Sequence, residues 1–112
     1  MKLVIAECIN SQTAAFRDEG QRVYACMEQA MNADQPFELS FDGIETCSTQ
    51  FLNASIGRLY RSFDASNIAS LVTITGIAPE DTILPEAITR TIDKALRPAY
   101  YAELMERTLA YA

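Results

Sequence analysis

A chain of 112 residues, 49% apolar and 21% charged, fits one compact globular domain rather than a disordered segment. Nine lysines and arginines stand against fifteen aspartates and glutamates, a net charge of −6, which argues against broad contact with a nucleic acid. No run of apolar residues is long enough to span a membrane, and MKLVIAECIN is too short for a signal peptide, so a cytoplasmic protein is expected.

Residues 2–9 (KLVIAECI) are β-branched and apolar and predict a buried first strand. The polar break Asn10-Ser11-Gln12-Thr13 offers helix caps. Phe16, Gly20, Val23, Met27 and Met31 then recur at steps of three or four and mark one face of a helix over about 13–33. Pro36 stops it, because proline disfavours helix at the residue before it. Phe37, Leu39 and Phe41 alternate with polar residues as a second strand, and Asp42-Gly43 turns the chain. After a polar loop, 45–50, a second helix over 51–63 is carried by Leu52, Ile56, Leu59, Tyr60 and Phe63. Residues 68–75 (IASLVTIT) predict a third strand, ended by Gly76 and Pro79. Two helical stretches follow, about 82–96 and 98–111, divided by Pro98. The order β-α-β-α-β-α-α implies a single α/β domain with a small, mostly parallel sheet flanked by helices.

The absences bear on chemistry. Histidine is missing, which removes the commonest general base and metal ligand together. The four glycines stand far apart, so no phosphate-binding glycine loop can form, and no G-x-S-x-G is present. Cys8, Cys26 and Cys47 include no C-x-x-C pair and read as reduced thiols. An enzyme is not expected, nor a cofactor or metal. Glu7, Asp42 and Glu45 fall at strand ends on one side of the sheet, where they would hold a hard cation, act as an acid/base pair, or stay solvated. Thr46-Cys47-Ser48-Thr49-Gln50 precedes the second helix. Ser48 or Thr49 would be its N-cap, and a phosphate on either hydroxyl would be stabilised by the free N–H groups there.

The segment FELSFDGIETCSTQFLNASIGRLY resembles the strand–loop–helix centre of the STAS domain of anti-anti-sigma factors and sulfate transporter tails. It is most similar to a shorter bacterial branch, the STAS-like domain family of unknown function, in Leu39 to Phe51 and in the R-x-x-G of Arg17-Asp18-Glu19-Gly20. In anti-anti-sigma factors a serine at the start of this helix is phosphorylated by a partner ATPase kinase, which switches binding off. By position that serine corresponds to Thr49, with Ser48 at the family's aspartate, Gln50 at a second serine and Phe51 at a glycine. The resemblance implies a partner-binding module, with a histidine-kinase-like ATPase as the kind of partner.

Arg58 and Arg61 lie further along the same helix, with Asn53 and Tyr60 nearby, as interface anchors or solvated helix residues. Tyr101, Leu104, Met105, Thr108 and Leu109 form an apolar stripe in the last helix, which packs on the domain itself or docks on a second copy or a partner. The combined reading is a regulatory protein–protein interaction module without catalytic activity. Its candidate partner-binding or phospho-acceptor residues are Asp42, Glu45, Ser48, Thr49, Asn53, Arg58 and Arg61. The alternative is a small-ligand or nucleotide sensor, with its ligand at the helix N-terminus.

Overall fold

Parallel strands need long crossovers, and the spacing of the three apolar runs supplies them. The computed structural model describes residues 1–97. In chain order they form β1 (Lys2–Val4), α1 (Ile5–Ile9), β2 (Thr13–Ala14), α2 (Arg17–Asn32), β3 (Phe37–Ser40) and β4 (Thr46–Cys47). Then come α3 (Thr49–Leu52), a π-helical segment (Asn53–Gly57), α4 (Arg58–Ser62), α5 (Ala65–Leu71), β5 (Val72–Thr75) and α6 (Ile83–Leu96). The main sheet has the order β1-β3-β5, parallel throughout, with Leu3, Leu39 and Ile74 side by side in register.

Alternation along β3 decides what each face does. Phe37 and Leu39, with Phe41 just beyond, are buried against the helices, in a core that includes Val23, Met27, Phe51, Leu52, Ile56, Leu59, Ile68 and Ile88. Glu38 sits on the opposite face, where Thr75 Oγ1 donates to its Oε2 at 2.8 Å and Lys2 Nζ approaches the same oxygen at 3.9 Å. The rod from α3 to α4, with its π-helical segment, packs against α2 on one side and α6 on another.

Four expectations need correction. The strand expected over 2–9 ends at Val4, and the chain turns at once into α1. Ile5 and Ile9, four apart, are both buried, so the β-branched run carries a helical period that its composition hides. Asn10 does not cap the following helix; it closes α1 in the left-handed region at φ 53°. The helix expected from residue 13 starts at Arg17, because Thr13 and Ala14 pair as β2 with β4 in a two-stranded parallel sheet. The strand expected over 68–75 is only Val72–Thr75, since Ile68 belongs to α5 and points into the core. The second strand, the 51–63 helix and the 82–96 helix stand as read, within a residue or two. The expected last helix and its stripe lie outside the described residues.

Candidate functional site

The site is built where α3 begins. Ser48 is the N-cap: its Oγ accepts the Phe51 N–H at 3.1 Å and donates to the Ala15 carbonyl at 2.6 Å. Its own N–H goes to the Ala14 carbonyl at 2.8 Å. One serine therefore fastens the helix start to the β2 segment. Thr49 follows as the first helical residue and is exposed, as is Gln50.

From Thr49 to Ser62 the chain is one continuous helical rod, widened by the π-helical turn. Ser55 is buried in that turn and donates to the Phe51 carbonyl at 2.8 Å. The Asn53 carbonyl accepts from Arg61 Nη2 at 3.2 Å, which draws the guanidinium back along the rod. Arg58 lies with its Cζ 4.3 Å above the ring of Tyr24 on α2, a cation–π contact. The Tyr24 hydroxyl donates to Glu28 Oε2 at 3.0 Å, so the ring beneath the arginine is itself held.

Between the start of α2 and this rod runs an open groove of about 660 Å³, lined by Arg17, Gln21, Gln50, Asn53, Arg58 and Arg61, among others. The groove collects three of the sequence-predicted residues, Asn53, Arg58 and Arg61. It adds Arg17 and Gln21, which sequence reasoning left out of the site, and Gln50 from the expected 45–50 surface. Arg17 and Gln21 are four apart on α2, so they share a face, and Tyr24 continues it. That spacing was readable; its meeting with Arg58 and Arg61 was not. Phe16, at the head of α2 beside the Ala15–Ser48 hydrogen bond, is 65% exposed.

The acids do not gather. Asp42 is exposed and faces Lys2 at 3.8 Å. Glu45 lines a separate cleft of about 300 Å³ with Thr46, Cys47, Asp81 and Leu84. Glu7 lies on α1 rather than at a strand end. Among the described residues no group of three histidine, cysteine, aspartate or glutamate side chains is placed to hold a metal ion. Burial pushes the Cys47 thiol up to about 12, and it also raises Cys8, helped by the neighbouring Cys26 thiol. These thiols are protonated at neutral pH and poorly nucleophilic. No helix among the described residues is long and apolar enough to cross a membrane.

The family model described as the STAS-like domain of unknown function (DUF4325) matches residues 19–82, more than half of the chain. The chain belongs to that family. Neither the curated proteins nor the solved structures contain a match to it.

Proposed function

We propose that this STAS-like domain is a non-catalytic regulatory module that binds a protein partner through residues 45–50, which form β4 and the first turn of α3 rather than the expected loop, and through the exposed face of the α3–α4 rod. The observation that carries the reading is the surface at the start of α3. An exposed aromatic, Phe16, stands beside a helix end whose outward residues, Thr49 and Gln50, are both open to solvent. Exposed aromatics flanked by arginine suit protein contact, and a helix rod pinned at its N-cap loses little freedom on docking.

Thr49 is the residue through which binding would be switched. A phosphate there adds a charge of about −1.5 to −2 beside the helix N-terminus. The helix end tolerates that charge in the free protein. A partner packed over Thr49 would have to strip water from it, so binding falls. Ser48 is a poor acceptor by comparison, because its hydroxyl is already used at both lone pair and proton.

The ligand-sensor alternative has less support. The cleft beside Glu45 is lined by two carboxylates and no basic side chain, a poor match to a nucleotide phosphate. The test is capture of a partner on the immobilised full chain, identification by mass spectrometry, and affinity measurement with the purified pair. Thr49→Asp and Phe16→Ser are both expected to weaken the complex. A partner bound equally by wild type and both variants would place the contact elsewhere and end this reading.

A further inference from the structure

The protein carries a net charge of −6, yet three of its arginines converge on one groove. Among the described residues the ion pairs are Lys2 with Glu38 and Asp42, and Arg97 with Asp93; Arg17, Arg58 and Arg61 have no carboxylate partner there. Two of the three are nevertheless held in place. Arg58 rests on the Tyr24 ring and Arg61 on the Asn53 carbonyl, and both supports are neutral. Each support orients a guanidinium without cancelling its charge and leaves most of its five N–H donors free. Gln21, Gln50 and Asn53 line the groove between the arginines.

The geometry points to this groove as a receptor for an acidic peptide segment, the carboxylates of a partner pairing with Arg17, Arg58 and Arg61. The inference rests on the partner-binding reading above and names the chemistry of the partner at that face. Arginine forks match carboxylates in two-point contact, and the glutamines and asparagine suit the peptide's own amide groups. The open run of the groove between two helices, with exposed Phe16 at the head of α2, fits an extended chain better than an enclosed small anion. The overall negative charge elsewhere disfavours a nucleic acid in the same place.

The experiment is fluorescence anisotropy on the 112-residue chain with a labelled oligoglutamate peptide and its oligoglutamine counterpart. The expected result is binding of the glutamate peptide alone, weakening as sodium chloride rises. Arg58→Gln and Arg61→Gln should each lower affinity by about tenfold. Arg90→Gln, on α6 outside the groove, should leave it unchanged. All of these positions are exposed, and circular dichroism checks that each variant is folded. Equal binding of the two peptides, or equal loss in Arg90→Gln, would overturn the proposal. So would tight binding of inorganic pyrophosphate or ATP without the peptide, which would assign the groove to a small phosphate ligand. Self-association abolished by Arg58→Gln, with no peptide bound, would assign it to a second copy and overturn it equally. A captured partner that is sensitive to Thr49→Asp but indifferent to Arg58→Gln and Arg61→Gln would refute the acidic-segment inference while leaving the module reading intact.

Discussion

Gly20 of α2 and Phe51 of α3 approach so closely that a Cβ on the glycine would sit 2.6 Å from the Phe51 carbonyl oxygen and 2.8 Å from the Ala54 Cβ. The first of these neighbours is backbone and cannot swing aside. The close approach sets the separation of α2 from the helical rod, and with it the width of the groove that holds Arg17, Arg58 and Arg61. Gly20→Ala gains helix propensity, about 1 kcal/mol, but forces the two helices apart. Overpacking of this kind costs about 1–3 kcal/mol or more, so the clash should win. The expected result is a Tm lower by about 5–10 °C. A Tm equal to or above wild type would show that the helices can separate freely.

Ser48 makes a second long-range tie, and its loss is separable from loss of function. Removing its hydroxyl takes away the cap on Phe51 N–H and the bond to the Ala15 carbonyl. Ser48→Ala should cost about 1–2 kcal/mol. Ser48→Thr keeps both the acceptor and the donor and should recover most of that loss. Urea unfolding of the two variants decides it: equal midpoints would mean that the hydroxyl contributes nothing to the fold.

The strong periodicities in the sequence survive in the structure except at their ends, where Phe16, read as the first residue of the α2 stripe, stands at the N-cap and is exposed; the weak or misleading ones do not. Val23, Met27 and Met31 kept their face because a sixteen-residue helix repeats its pattern several times. Pro36 marked the stop because it acts on the local backbone alone. The β2–β4 pair was invisible, since two-residue strands hold no period to read. The run at residues 5–9 misled because β-branched residues favour strand locally, while burial of Ile5 and Ile9 together demands a helical turn. The groove was half legible. Arg58 and Arg61, three apart, could be grouped by spacing; Asn53 is five before Arg58 and joins them through the π-helical turn, and Arg17 reaches them only across a crossing that the contact at Gly20 creates. Gly20 itself stood out in the R-x-x-G resemblance, without the reason that only its bare Cα fits there.

Thr49→Asp should separate the switch from the fold. A negative charge at the first helical position interacts favourably with the helix end, by about 0.3–1 kcal/mol. Thr49 is exposed, so no core packing is lost. The Tm should therefore stay level or rise by a few degrees, while affinity for the captured partner falls. A variant that binds weakly because it is unfolded would show the opposite Tm change, and would discredit the switch as an explanation.

Cys47 predicts how stability responds to alkali. Burial holds its thiol at about 12 in the folded protein, against an ordinary value of 9.0. Below about pH 9 both folded and unfolded chains keep the proton, and the group has no effect on stability. Between 9 and about 12 the unfolded chain releases it and the folded chain does not, so unfolding becomes easier as pH rises. The loss is at most about 1.4 kcal/mol per pH unit, and smaller in practice because Cys47 is only half-buried. Cys8 and Tyr60 are also raised by burial and add to the alkaline loss, but they are present in both wild type and Cys47→Ala and cancel in the comparison. Urea midpoints measured at about pH 8 and about pH 10 should therefore fall further for wild type than for Cys47→Ala. Equal falls would mean that the Cys47 thiolate is solvated in the folded state and that β4 opens readily beside the start of α3.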